Sequence, residues 1–129
     1  MDSSFFWIGL GGAAGAIARV GFMQILPPFF LNLPLKIFCV NVLGCFVLGI
    51  LTGLMTLYGN SSLNIRHFLI QGFLGGFTTF SAFALEFGLL YEKGAFWTAL
   101  SYAVLSVVVS IVCLFLGIKI VKIACHYLG

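Results

Sequence analysis

An unusual group of glycine, hydroxyl and aromatic residues lies near the middle of an apolar stretch between residues 66 and 91. There, Gly75-Gly76-Phe77-Thr78-Thr79-Phe80-Ser81-Ala82-Phe83 combines two glycines, which weaken a helix, with two β-branched threonines and three hydroxyl groups. Unwound backbone at the centre of a membrane offers carbonyl groups to cations and N–H groups to anions. The segment therefore predicts a helix break that binds ions. A plain kink, relieved by Ser and Thr side chains, is the alternative.

Aromatic and polar side chains, within this segment and beyond it, could face an anion or line a polar track. Phe80 and Phe83 are three residues apart and share a helical face, and the edge of an aromatic ring is positive. Hydroxyl residues recur at intervals of four further along the chain, at Thr98, Tyr102, Ser106 and Ser110. Asn41 adds an amide that must face protein or a pore, because an unpaired amide is costly in lipid. Each feature alone is typical of ordinary packing, but four hydroxyls in register suggest a polar track.

Helices that cross a membrane must position these side chains. Of the 129 residues, 62% are apolar and only 7% are charged, whereas soluble domains have roughly 25% charged residues. A spanning helix needs about 20 mostly apolar residues, and four such stretches occur, at about 4–26, 36–58, 66–91 and 95–118. The sequence therefore predicts one all-α transmembrane domain over residues 1–129, with the third helix broken at its centre.

The basic residues do not select an orientation for these helices. Lys and Arg normally accumulate on the cytoplasmic side. Here the six divide equally, with Arg66, Lys119 and Lys122 on one side and Arg19, Lys36 and Lys93 on the other. Either one residue is assigned to the wrong side, Arg19 being the obvious candidate, or the chain inserts both ways round and pairs with an inverted copy of itself.

Small residues predict close contacts between the helices. Three G-x-x-x-G pairs occur, at Gly11 and Gly15, Gly49 and Gly53, and Gly72 and Gly76. In membranes this spacing usually marks helix packing, because it lets two backbones approach.

Two charged residues are embedded in the predicted helices. Arg19 and Glu86 are default candidates for a functional role, but structural pairing, with each other or with carbonyl groups, explains them equally well. Their roles stay open at this point.

Enzymatic chemistry is not indicated. The sequence contains no phosphate-binding loop and no catalytic triad. The cysteines Cys39, Cys45, Cys113 and Cys125 lack the spacing of a zinc site. We interpret them as small buried apolar residues.

Three motifs occur in order on the first three helices. They are Gly11-Gly12-x-x-Gly15-Ala16-x-x-Arg19, Val40-Asn41-x-x-Gly44-x-Phe46-x-x-Gly49 and Gly75-Gly76-x-Thr78-Thr79-Phe80-Ser81-x-Phe83. In these motifs, and over essentially its whole length, the chain resembles the Fluc (CrcB) family of fluoride channels. It departs from the family pattern at Ala82, where a hydroxyl residue is common, at Val20, where tyrosine is common, and at Leu35-Lys36, which replace a small pair.

The resemblance implies an antiparallel homodimer with two anion pathways, each lined by both subunits. It also implies a structural sodium ion on the dimer axis, bound by backbone carbonyls at the positions of Gly75 and Thr78. The pathway residues that it implies are Asn41, Phe80, Ser81, Phe83, Tyr102, Ser106 and Ser110. Such a pore suits fluoride, a small and strongly hydrated ion, because hydroxyls, an amide and ring edges replace its water without trapping it.

The resemblance thus implies passive export of fluoride through the inner membrane of a bacterium, driven by about 2.3 kcal/mol per 100 mV. The main alternative is a small proton-coupled multidrug exporter of dual topology. That function requires a membrane-embedded carboxylate, and Glu86, near the end of the third helix, is the only acidic candidate in the first three helices. A membrane subunit that only packs against other proteins would leave the hydroxyl track and the helix break without a role.

Overall fold

Four long helices make up most of the protein. The computed structural model describes residues 3–30, 33–59 and 62–128. The helices run over Ser4–Gln24, Leu35–Tyr58, Leu63–Glu92 and Phe96–Leu128, and each is long and apolar enough to cross a membrane. The chain is therefore an all-α multi-pass membrane protein, as the sequence predicts.

The ends of the first and fourth helices show what stops a helix and what does not. The first ends at Gln24, shortly before Pro27 and Pro28, which cannot donate the backbone hydrogen bonds that would continue it. The fourth continues past the predicted end at residue 118 to Leu128. Lys119 ends the apolar stretch there, but lysine is a good helix former and does not end the helix.

A short strand pair, not expected from the sequence, connects the first two helices. Phe29–Phe30 pairs antiparallel with Leu33–Pro34. The Leu35 N–H then donates to the Pro28 carbonyl at 3.1 Å, at the start of the second helix.

The third helix consists of unequal parts. A single α-helical turn, Leu63–Arg66, leads into a π-helix over His67–Leu74, followed by a short α-helical piece, Gly75–Phe77. After a break, Phe80–Glu92 is again α-helical. The break confirms the prediction for this helix, whereas the π-helix was not predicted.

The helices pack in two pairs. The first helix lies against the first part of the third, and the second lies against the fourth. Successive helices cross the membrane in opposite directions, so the two members of each pair run the same way.

Glycines form the contacts within each pair. A Cβ added to Gly15 would overlap the Phe73 carbonyl, and one added to Gly76 would lie 2.5 Å from the Gly12 carbonyl oxygen. In the second pair, a Cβ added to Gly49 would overlap the Leu114 carbonyl and lie 3.2 Å from the Gly117 Cα. The predicted packing role of the G-x-x-x-G pairs is confirmed.

We expect Gly15→Ala to lower the free energy of unfolding by about 1–3 kcal/mol, because the new methyl group must push the π-helix away from the first helix. Thermal unfolding of the purified protein in detergent would measure the loss. Gly21→Ala is the matched control in the same helix, since a Cβ there meets nothing within 4 Å. Equal stability of the two variants would contradict the packing role of Gly15.

Candidate functional site

Two extended residues interrupt the third helix. Thr78 has φ −85° and ψ 155°, and Thr79 has φ −150° and ψ 121°. The Thr78 N–H and the Thr78 hydroxyl both donate to the Leu74 carbonyl, at 3.0 and 2.9 Å, and so end the first part of the helix. The Thr79 hydroxyl accepts from the Ala82 N–H at 3.2 Å and caps the second part. The break therefore lies at the two threonines on which the sequence placed it.

Asn41 of the second helix holds the break in place. Its Nδ2 donates to the Thr79 carbonyl at 3.0 Å, and its Oδ1 accepts from the Thr79 N–H at 2.8 Å. The carboxamide thus pairs with Thr79 as a neighbouring strand would. Gly44, about one turn further along the second helix, permits this approach, because a Cβ at that position would overlap the Thr78 Cγ2 methyl group.

The break leaves backbone carbonyls without a helical partner. A helix that ends at Phe77 cannot satisfy its last carbonyl groups internally, and these include that of Gly75. The carbonyl of Thr78 belongs to the extended residue that follows the helix. Gly75 is exposed on the surface of the chain, and Thr78 is half-buried. Oxygen atoms of this kind suit a hard cation such as sodium, for which unwound membrane helices supply carbonyl ligands.

A crevice of about 170 Å³ lies beside the break. It gathers five of the predicted pathway residues, and its lining comprises Asn41, Phe80, Phe83, Ser106, Val107, Ser110 and Ile111. The residues come from three different helices, so the sequence alone could not show that they meet.

Aromatic rings lead from the surface of the protein to its interior. Phe80 is 79% exposed, and its ring centroid lies 5.6 Å from that of Phe83. The Phe83 ring lies 5.3 Å from that of Tyr102, which is almost fully buried. The Phe80, Phe83 and Tyr102 rings therefore form a continuous row, in which Phe80 and Phe83 line the crevice and Tyr102 lies beyond its lining.

Two buried hydroxyl groups end this row. The Tyr102 hydroxyl and the Ser106 Oγ are both inaccessible, and neither has a hydrogen-bond partner among the residues that the structure describes. Buried polar groups are nearly always paired, because an unpaired one costs about 1–3 kcal/mol. Two such groups, one helical turn apart on one face, indicate a place where another molecule or ion supplies the partner.

The remaining predicted site residues lie outside the crevice lining. Ser81 is exposed, with its hydroxyl 3.3 Å from that of Thr79. Within the described residues, no ion pair joins Arg19 to Glu86. The Arg19 Nε is buried without a partner among these residues, and Glu86 lies three residues after Phe83, on the same side of its helix.

A family model described as "CrcB-like protein, Camphor Resistance (CrcB)" matches residues 6–118 of the chain. The chain belongs to the CrcB family. Its similarity extends to individual members: a protein of Methylobacillus flagellatus named "Fluoride-specific ion channel FluC" is 42% identical over 117 residues, which cover 89% of this chain and 91% of the relative.

Other relatives carry the same name. The protein of Paracoccus denitrificans is 40% identical over 93% of this chain and 95% of its own length. The protein of Cereibacter sphaeroides is 42% identical over 95% of this chain and 97% of its own length. These CrcB relatives match the chain over both helix pairs and the break.

We expect Asn41→Leu to destabilise the protein by about 2 kcal/mol or more, because the Thr79 N–H would lose its acceptor and the Thr79 carbonyl would lose one of its two donors. Thermal unfolding would measure the loss, and hydrogen exchange would show faster exchange at the Thr79 amide. The control is Thr56→Val in the same helix, which removes only a hydrogen bond to the Thr52 carbonyl one turn away. Slow exchange at Thr79 in the Asn41→Leu variant would rule out Asn41 as its partner.

Proposed function

We propose that this protein is a fluoride-selective channel that exports fluoride passively through the inner membrane of a bacterium. The observation that carries the proposal is the pair of buried hydroxyl groups of Tyr102 and Ser106 at the end of the aromatic row, which have no hydrogen-bond partner in the described part of the chain. The relatives named as fluoride-specific ion channels support the same ion.

The groups that surround the crevice suit a small, strongly hydrated anion. The Tyr102, Ser106 and Ser110 hydroxyls can each turn a hydrogen toward an ion, and Phe80 and Phe83 can present positive ring edges. Asn41 uses one N–H of its amide for Thr79 and has a second N–H to donate. None of the residues that line the crevice carries a full charge, so an anion would be coordinated without being held too tightly to leave.

The same features argue for a second copy of the chain. Phe80, Ser81 and Gly75 are exposed in the single subunit at the level of the break, where irregular backbone is not tolerated against lipid. An inverted copy would cover this surface, and the equal division of basic residues fits insertion in both orientations. The proposed assembly is an antiparallel homodimer with two separate pores, each completed by both subunits.

A sodium ion on the axis of this dimer would satisfy the carbonyls of the break. The carbonyls of Gly75 and Thr78 from each copy would be its ligands, and its role would be structural. Equal dimer stability in sodium and in a large organic cation would contradict this assignment.

A proton-coupled exporter is the second candidate, because Glu86 does lie near the polar track. Glu86 follows by three residues Phe83, whose ring lies 5.3 Å from that of Tyr102, and embedded carboxylates commonly serve as proton relays. The two candidates differ in whether transport requires a proton gradient.

Purified protein in liposomes should pass fluoride rapidly and chloride hardly at all, with no proton gradient. In the Phe83→Ile variant, the loss of the ring edge should lower the fluoride flux by roughly two- to tenfold. Ion-selective electrodes that follow efflux from the liposomes would measure both results.

Phe115→Ile is the matched control, because Phe115 is an exposed side chain of the fourth helix that does not line the crevice. Equal fluxes of fluoride and chloride would contradict the assignment as a fluoride-selective channel. A dependence of transport on a proton gradient would favour the exporter instead.

Dual topology predicts that each loop faces both sides of the membrane in different molecules. In a variant with all four cysteines replaced by serine, Glu92→Cys would place a single thiol at the exposed end of the third helix. Because acidic residues contribute little to orientation, the change should not alter insertion. A membrane-impermeant maleimide should label about half of the molecules in intact cells and the rest after lysis; labelling of all or none before lysis would show a single orientation.

A further inference from the structure

The second and fourth helices are in register along their contact. Gly49 packs against Leu114 and Gly117, and Gly53, one turn further on, lies against Val121, with an added Cβ 3.0 Å from the Val121 Cβ. A step of four residues along one helix thus matches a step of four along the other. One turn before Gly49, this register places Cys45 opposite residues 110–113.

The side chains at that level bring two thiols together. The Cys45 thiol lies within hydrogen-bonding reach of the Ser110 hydroxyl. Because Gly49 lies against Gly117 and Gly53 lies against Val121, the same step of four residues places Cys45 opposite Cys113. Both cysteines are half-buried, and Ser110 lines the crevice. The other two cysteines are elsewhere: Cys39 lies near the start of the second helix, and Cys125 lies 3.7 Å from the Tyr58 hydroxyl.

The ligand set determines which metal such a pair can bind. The described parts of the chain, 3–30, 33–59 and 62–128, contain no group of three or more His, Cys, Asp or Glu side chains arranged around one point. A tetrahedral zinc site needs three or four such ligands. Two thiolates suffice for a soft cation that prefers linear two-coordination, such as Hg²⁺, because soft metals select sulfur.

We propose that Cys45 and Cys113 form a dithiol site for a soft, two-coordinate metal cation, and that the occupied site closes the crevice beside Ser110. Binding replaces two S–H bonds with two S–Hg bonds and releases two protons to water, without oxidation or reduction. In the neutral product the two sulfur atoms no longer carry hydrogens, and the mercury atom lies next to Ser110. The closing effect rests on the proposed channel function, whereas the metal site itself does not.

The metal site is tested by counting thiols. In a background that carries Cys39→Ser and Cys125→Ser, the protein retains only the proposed pair. Titration with HgCl₂, followed by a chromogenic thiol reagent, should show about two thiols lost for each mercury bound. The matched control moves one thiol by one residue, with Val112→Cys and Cys113→Ser. This control keeps two thiols, but one lies on an exposed face, and about one thiol should be lost per mercury.

The effect on the crevice is tested by fluoride efflux from liposomes before and after HgCl₂. Low concentrations should block the paired-thiol protein, and the Val112→Cys control should need at least about tenfold more. A loss of one thiol per mercury in both proteins would overturn the metal site, and paired binding with unchanged efflux would overturn the closure. Absent fluoride efflux before mercury would instead refute the proposed function and leave the thiol count to decide the site.

Discussion

The structure depends on one requirement, that the backbone of Thr79 be paired. Its N–H lies at a break in a membrane helix, where the preceding part of the helix offers it no carbonyl and where an unpaired group would cost several kcal/mol, whereas its carbonyl also begins the helix that follows. Asn41 bonds to both groups with one side chain, at 2.8 and 3.0 Å. Because Thr79 also caps the helix that follows, the direction of that helix, and with it the placement of Phe80 and Phe83, depends on this pair.

Glycines allow the neighbouring helices to approach the break closely enough for Asn41 to pair with Thr79. Gly44 lies on the same side of the second helix as Asn41, and any side chain there would meet Thr78 and push the break away from the amide. The first helix supports the break from the other direction, where Gly12 and Gly15 admit the backbone of the third helix. Without water or a hydrophobic driving force inside the membrane, such close approach is what holds helices together. The same short motifs therefore provide both the close packing of the helices and the polar pairing at the break.

Much of this could be predicted from the sequence, because its strongest signals are local. The lengths of the apolar stretches predicted the four helices, and the residues from Gly75 to Phe83 predicted the break at Thr78 and Thr79. The partner of Asn41 could not be predicted, since it depends on which helices pair and in what register. The π-helix over His67–Leu74 has no local signal, because the backbone adjusts there to bring the Phe68 and Phe73 carbonyls against Gly11 and Gly15. Serine spacing predicted a polar track, but only the fold shows that Ser106 is buried and that Ser110 meets Cys45.

The polar groups near the break are of two kinds, those that bond to each other and those that have no partner among the described residues. Asn41 and Thr79 satisfy each other, so their geometry is fixed and they serve to hold the break. Tyr102 and Ser106 are more deeply buried than that pair, yet their hydroxyls have no partner among the described residues. A protein that needed only stability would gain from phenylalanine and alanine at those positions, because removing a buried unpaired group relieves its desolvation penalty. Hydroxyls left unpaired beside a row of aromatic rings are free to rotate toward an ion that arrives and to release it again, which a fully satisfied network could not do.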